Sequence, residues 1–447
     1  MLFDEALAYL LSLGHETLSI KLGLANTEIL LESLGNPQKD FRAVQIAGTN
    51  GKGSTAAFLD STCRQAGIRT GLFTSPHLIS ITERIKINGE QISEEEFARL
   101  TDTVREAATT LVKRGLLQTL PTFFEHITAI ALLAFREAKV ELAILETGLG
   151  GRLDSTTTAQ AEVVAITPVA LDHEEYLGST IAEIAAEKAA IIRAGVTAVI
   201  GPQTSEALDV IIRRCEAQGV QPTVVGSQAL SQLVGISRDG RCQVTIQTAH
   251  GHYVTVQLGL RGRHQIDNAV VAVALAEMLG EHGFPISRDA IVRGVGTTKH
   301  PGRLELWDSE PPVLFDGAHN PAAAGALRDY LDEFVKSPVT MIFGAMKDKR
   351  LQEMARLLFP LADKLILTEI DNPRAASLQD LLGAVPSGLD QNRIRTATSV
   401  DDALKHAQEI TPDDGLICIT GSLYLIGAAQ AILKRRSGSA PILVTFL

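Results

Sequence analysis

Two hydrophobic rhythms alternate along the chain. Short aliphatic runs such as VQIA (44–47), ELAILETG (141–148) and EVVAITPV (162–169) read as strands buried on both faces. Between them, apolar residues recur every three or four positions, the spacing of helices with one buried face. Leu2 to Leu13 and Gly23 to Leu34 are predicted helices, joined by a connector, SIKLGL (19–24). The stretch VQIAGTNGKGST, Val44 to Thr55, predicts a strand, a glycine-rich turn and a helix through Phe58 and Leu59 that ends near Gly67. RTGLFTS (69–75) then begins a second strand, and a strand-turn-helix-strand unit implies a parallel sheet.

RIKINGE (84–90) predicts an edge strand and a turn, and Ser93 with Glu96 a capping box opening a helix with the stripe Phe97, Leu100, Val104 and Leu111. A helix from about Thr122 to Arg136 precedes ELAILETG, and the strands AVIGPQ (198–203) and PTVVG (222–226) flank one more helix. Ser231 to Leu260 changes to short alternating segments with turns, predicting a small antiparallel addition. An alanine-rich helix spans Gln265 to Met278, a shorter one starts at Ser287, and GTTKHPGR (296–303) is the best linker. Beyond it PVLFDGA (312–318), VTMIFGAM (339–346), KLILTEI (364–370) and LICITG (416–421) restart the strand–helix alternation. The expected fold is therefore α/β in two domains, residues 1–297 with a mostly parallel sheet plus a small antiparallel one, and residues 298–447 with a second α/β unit.

Composition narrows the function. The 447 residues are 45% hydrophobic and carry a net charge of -11, which argues against binding nucleic acid or anionic membrane through bulk electrostatics. Cys63, Cys215, Cys242 and Cys418 form no C-x-x-C pair, so neither a zinc site nor a disulfide framework is indicated. Asp4 and Glu5, with no basic residue before Lys21, do not make the basic flank of a signal peptide, and the apolar runs Ile127–Phe135 and Ala269–Ala276 are too short to span a bilayer. A cytoplasmic protein is expected.

The glycine-rich turn carries the first chemistry. Glycines let backbone N–H groups converge on an anion and Lys52 adds a full positive charge, so the turn suits nucleotide phosphate. It departs from G-x-x-x-x-G-K-[ST], because Gly53 separates Lys52 from Ser54 and position 46 is Ile; the bland alternative is a plain strand-to-helix turn. Rare polar residues cluster in TSPHL (74–78), ETGLGGRLD (146–154), LDHEEYLG (171–178), HPGRLE (300–305) and DGAHNP (316–321). Alone, Glu146 reads as a strand-end carboxylate and His173 as a hydrogen-bonded loop histidine. Together, after consecutive strands beside a phosphate loop, they belong to one ligand-binding edge if the three strands are parallel. A hydroxyl such as Ser75 or Ser54, Glu146 and phosphate oxygens would suit magnesium, and His173 a second, softer position. Lys188 falls on the apolar face of a helix opened by Thr180 and Glu183, with Ile181, Ile184 and Ile191. Either its stem packs there while the ammonium reaches solvent, or burial lowers its pKa and leaves a nucleophilic amine open to covalent modification.

In order and spacing, AGTNGKGST, TSPHL, ETGLGGRLD, LDHEEYLG, EKAAIIR, HPGRLE and DGAHNP resemble the folylpolyglutamate synthase/dihydrofolate synthase family of the Mur ligase superfamily, over nearly the whole chain. The resemblance implies a P-loop-type Mur central domain followed by a Rossmann-like glutamate-ligase domain, in a monomer. It implies an ATP-dependent ligase that adds L-glutamate to dihydropteroate, to (tetrahydro)folate or to both, through an acyl phosphate. Gly51, Lys52, Gly53, Ser54, Asn268, Arg303 and Asp316 would hold ATP; Ser75, Glu146 and His173 would hold two Mg2+ ions, and a monovalent cation such as K+ is admitted. Lys188 matches the family's carbamylated lysine, and His319 and Ser422 the glutamate end. Lys52, His173, Lys188, Asp316 and His319 are the expected catalytic residues. Thr122, Phe124, Arg152 and Asp154 resemble the pterin-binding segment, although this chain has LDSTT where the family shows LDATN, with Thr157 in place of asparagine. Rival readings are a Mur-type ligase for another carboxylate, a P-loop kinase or ATPase, and a non-catalytic nucleotide-binding module.

Overall fold

The computed structural model describes residues 1–14 and 23–436. Most of the connector SIKLGL therefore lies outside the described residues. In chain order the first part contains α1 (Phe3–Ser12), α2 (Ala25–Ser33), β1 (Arg42–Ala47), α3 (Lys52–Gln65), β2 (Thr70–Phe73), β3 (Ile85–Ile87), β4 (Glu90–Gln91), α4 (Glu94–Lys113), α5 (Phe123–Glu137), β5 (Leu142–Glu146) and β6 (Val163–Ile166). It continues with α6 (Glu174–Leu177), α7 (Ile181–Ala189), β7 (Thr197–Ile200), α8 (Ser205–Ala217), β8 (Thr223–Val224), β9 (Leu230–Ile236), β10 (Arg241–Gln247), β11 (His252–Arg261), α9 (His264–Glu281) and α10 (Arg288–Thr297).

One sheet has the order β4-β3-β2-β5-β1-β6-β7-β8, in which all pairs from β2 to β8 are parallel and β3 and β4 run antiparallel at the edge. β1, β5, β6 and β7 are almost wholly buried because helices cover both faces, which is why they read as unbroken aliphatic runs. One apolar core packs α4, α5 and α7 on one face; the other packs α3, α9 and the antiparallel sheet β11-β10-β9 on the opposite face.

The second part contains β12 (Glu305–Trp307), β13 (Val313–Asp316), α11 (Pro321–Phe334), β14 (Val339–Phe343), α12 (Leu351–Leu358), β15 (Lys364–Thr368), α13 (Leu378–Gly383), β16 (Ile394–Ala397), α14 (Val400–Ile410), β17 (Leu416–Thr420) and α15 (Leu423–Arg436). They form a sheet ordered β12-β13-β17-β14-β15-β16, parallel except for β12. Two of these strands, β12 and β16, have no counterpart in the hydrophobic pattern, since each is an edge strand of three or four residues and mostly half-exposed or exposed.

Two local expectations are corrected and one alternative is decided. Ser93 caps α4 by accepting from Glu96 N, but the reciprocal half of the box is missing because the Glu96 carboxylate pairs with Arg99 at 2.7 and 3.1 Å. Ile191 lies beyond α7, which stops at Ala189, so it is not on that helix's face. Lys188 does not reach solvent: it is 5% exposed.

Candidate active site

The glycine-rich loop leaves β1 at Ala47 and enters α3 at Lys52. Two glycines make the path available. Gly48 has φ +145°, and a Cβ there would fall 1.9 Å from Thr167 Oγ1; Gly51 has φ +88°, and a Cβ would fall 2.2 Å from Asn268 Oδ1. Thr49 N and Asn50 N donate to Pro168 O at 3.0 and 3.1 Å, so the segment after β6 fixes the loop's outer edge. The first amides of α3 have no carbonyl four residues earlier within the helix, which makes its entrance an anion site.

Beneath this loop Lys52 Nζ donates to Gly48 O and Thr49 O at 3.1 and 3.2 Å, and Lys188 Nζ donates to the same Gly48 O at 2.8 Å. Burial lowers the pKa of Lys52, against the attraction of Glu146. Burial, reinforced by Lys52, lowers that of Lys188 to about 7. Glu146 ends β5, is 6% exposed, and accepts from Ser75 N at 3.1 Å; burial raises its pKa while Lys52 pulls it down. Gly53 adjoins it: a Cβ there would lie 3.3 Å from Glu146 Oε2 and 3.0 Å from His300 Cε1. Burial drives His300 and His173 to about 3 and His264 to about 4, so burial favours the neutral imidazole in all three.

Among the described residues no group of three or more His, Cys, Asp or Glu side chains converges as a metal cage. Glu146 and Ser75 adjoin, whereas His173 sits on a separate loop. One buried carboxylate with a single backbone donor, open to a cavity beside a phosphate loop, does fit a magnesium ion that takes its remaining oxygens from phosphate and water.

The carboxyl ends of the second sheet supply the facing wall. Asp316 ends β13 opposite Thr420 of β17, and its carboxylate accepts from Leu304 N at 2.9 Å and Ala318 N at 3.1 Å. Burial raises its pKa, opposed by Arg303, whose Nη1 donates to Gly317 O at 3.3 Å. His319 Nδ1 lies 2.8 Å from Gly317 O, and Ser422 Oγ accepts from Tyr424 N at 3.2 Å.

At another end, Thr122 caps α5 in a full capping box with Glu125. Phe124 packs so close to Gly148 that a Cβ there would lie 2.4 Å from Phe124 Cζ. Asp154 spends both oxygens on its own loop, taking Leu149 N at 2.9 Å on one, and Thr156 N at 3.0 Å and Thr156 Oγ1 at 2.5 Å on the other. Arg152 is the most solvated member, its side chain 55% exposed and paired with Glu187 at 3.0 Å.

All these residues line one cavity of about 470 Å³: Gly51 to Ser54, Ser75, Thr122, Phe124, Glu146, Arg152, Asp154, His173, Lys188, Asn268, Arg303, Asp316, His319 and Ser422. The structure adds lining residues that sequence reading missed, among them Asp172, His264, Gln265 and Lys349. Asp172 sat within the LDHEEYLG motif and could have been found there; Lys349, in GAMKDKR, gave no signal of its own.

Comparison with known proteins agrees with this architecture. Residues 46–276 match the Mur ligase middle domain, and residues 302–423 the Mur ligase glutamate ligase domain. The dihydrofolate synthase/folylpolyglutamate synthase of Bacillus subtilis is 36% identical over 94% of this chain and 97% of its own length. The probable bifunctional folylpolyglutamate synthase/dihydropteroate synthase of Halobacterium salinarum is 37% identical over 96% of this chain, which spans only 51% of that longer relative. Among solved structures, Mycobacterium tuberculosis folylpolyglutamate synthase complexed with ADP superimposes with a TM-score of 0.89 at 32% identity, covering 96% of this chain and 98% of that one. The fold is that of a Mur ligase. Within that superfamily the chain belongs to the folylpolyglutamate synthase/dihydrofolate synthase family, which makes it an ATP-dependent carbon–nitrogen ligase. No helix among the described residues is long and apolar enough to cross a membrane.

Proposed function

We propose that this chain adds L-glutamate to dihydropteroate, to (tetrahydro)folate or to both, by way of an acyl phosphate. One observation carries the reading: a single cavity has the glycine-rich loop and Lys52 on one side and Asp316, His319 and Ser422 on the other. In this reading residues 1–297 form the nucleotide lobe and 298–447 the glutamate lobe of a cytoplasmic monomer.

Attack of a carboxylate on a γ-phosphate brings two anions together, so the site must first neutralise the phosphates. Amides of the Gly51–Ser54 segment and Lys52 cradle them, while Asn268, Arg303 and Asp316 hold the rest of the nucleotide. Ser75, Glu146 and His173 would hold Mg2+, which supplies charge neutralisation at the phosphates, with K+ as an additional cation. Lys188 would act as its carbamate, an anion beside those cations. Thr122, Phe124, Arg152 and Asp154 orient the pterin-bearing acid, with Phe124 offering the apolar face. The acyl phosphate hydrolyses unless water is excluded, which the facing wall provides, and His319 and Ser422 orient the glutamate whose amine attacks the activated carbonyl.

Mass spectrometry of products, with dihydropteroate and tetrahydrofolate offered side by side with ATP and glutamate, tests this. A mass gain of one glutamyl unit on either acid is expected. Phosphate release independent of glutamate would favour an ATPase, and turnover only with a cell-wall precursor would favour a different Mur-type ligase.

A further inference from the structure

Asp172 stands immediately before His173 and is itself 8% exposed. Apart from the neighbouring His173 N, at 3.0 Å, its hydrogen-bond partners come from the opposite wall. Oδ1 accepts from Lys349 Nζ at 2.6 Å, and Oδ2 from Asn320 Nδ2 at 3.2 Å, with His319 Nε2 at 3.5 Å. Asn320 also exchanges amide contacts with Asn50 of the phosphate loop at 3.0 and 3.4 Å, and its Oδ1 caps α11 through Ala323 N at 2.9 Å. Lys349 is 8% exposed at its side chain, and its other ion pair, to Asp348, is longer at 3.5 Å. A buried ammonium and a buried carboxylate satisfy one another only while the two walls are together; separating them costs each its partner.

We infer that Asp172 is a positioning residue, the latch through which wall closure sets His173 and His319 for the ligation step. Resting on the ligase reading above, it assigns Asp172 no contact with substrate. With the latch intact, the acyl phosphate meets glutamate in a closed site. Without it the walls part more often, and water competes for the same intermediate. The Asp172–Lys349 pair acts as one unit, so losing either partner forfeits the same closure.

The test uses the full chain and the variants Asp172→Asn, Lys349→Met and the double variant. Each is assayed for phosphate release, ligated product, nucleotide affinity and melting temperature. Because all four native cysteines are buried, spin labels on Glu94→Cys and Glu409→Cys, both exposed, can report the separation of the walls. Phosphate released per bond formed should rise ~10-fold in each single variant and no further in the double, a coupling of ordinary allosteric size. Nucleotide affinity should stay within about twofold. The label-distance distribution should broaden toward separations longer than those of the wild type. An unchanged phosphate-to-product ratio, or an unchanged distance distribution, in folded variants would overturn the latch. Should the wild type itself form no glutamyl product, the ligase reading fails, and the label distances still decide whether Asp172 holds the walls together.

Discussion

Lys52 and Lys188, 136 positions apart in the chain, direct their ammonium groups at one acceptor, the carbonyl oxygen of Gly48, at 3.1 and 2.8 Å. The two cations share Gly48 O, with Lys52 also donating to Thr49 O at 3.2 Å, and the proximity of Lys52 contributes to the lowered pKa of Lys188. Incoming phosphates offer Lys52 a stronger partner than a neutral carbonyl. Conversion of Lys188 to a carbamate turns repulsion into attraction. On the proposed reading, phosphate at Lys52 and a carbamate at Lys188 would settle the pair.

This gives the first prediction, a trade between stability and activity. The Lys188 pKa falls from 10.5 in the unfolded chain to about 7. Between those values the unfolded state binds more protons, so the penalty of burying the lysine is full below about 7, shrinks as pH rises, and vanishes above the unfolded value. Lys188→Met should therefore stabilise the fold by on the order of a few kcal/mol at pH 7 in bicarbonate-free buffer, with the gain disappearing toward pH 10. Ligation should be lost. Denaturant melts at several pH values, beside product assays, check both parts.

The same depressed pKa predicts when the modification forms. The neutral amine attacks CO2, an N–C bond forms and a proton leaves, so the carbamate accumulates as pH rises through about 7. Carbon-13 NMR with labelled bicarbonate should show one protein carbamate signal growing between roughly pH 6 and 8, absent in Lys188→Met. A signal that does not change over this interval would contradict the assignment.

Removal of the phosphate and metal groups should separate folding from function. Lys52→Ala and His173→Ala are expected to abolish ATP- and glutamate-dependent ligation, by at least ~100-fold, while circular dichroism stays native. His173 has φ +52°, a conformation that alanine tolerates less well, so its melting temperature should fall modestly. Wild-type rates in both variants would refute the site.

Much of this was legible along the chain, for reasons that differ between elements. β1, β5 and β6 are sandwiched between helix layers, so burial wrote itself as unbroken aliphatic runs. Glycines at 48 and 51 were readable because only glycine fits their backbone angles and close neighbours. β12 and β16 were not, being short and half-exposed at a sheet edge. Lys188 was readable as an oddity on an apolar face, but whether it snorkels depends on Gly48, 140 positions away. The Asp172–Lys349 pair spans 177 positions and two sheets; Asp172 stood in a polar motif, but nothing in the chain tied it to Lys349. What one chain could not reveal is long-range pairing of ordinary polar residues.

The last prediction concerns Thr157, where this chain departs from the LDATN pattern. Its hydroxyl donates to Gly151 O at 2.8 Å and accepts from Gln45 Nε2 at 2.8 Å; Gln45 is fully buried on β1 and also reaches Thr156 Oγ1 at 3.0 Å and Thr147 Oγ1 at 3.3 Å. A row of threonine hydroxyls on one buried amide thus holds the GLGGRLD loop, whose residues 148–154 line the cavity beside Phe124. Thr157→Val keeps the shape, strands the Gly151 carbonyl and removes one acceptor from Gln45, at a cost of ~1–3 kcal/mol. If the slackened loop belongs to the pterin end, as proposed above, KM for the pterin substrate should rise severalfold while KM for ATP stays put. Thr157→Ser, which retains the hydroxyl, should restore the wild-type value. If the valine variant melts earlier but both KM values are unchanged, the hydroxyl row serves only the fold, and recognition of the pterin must be assigned to other residues of the cavity.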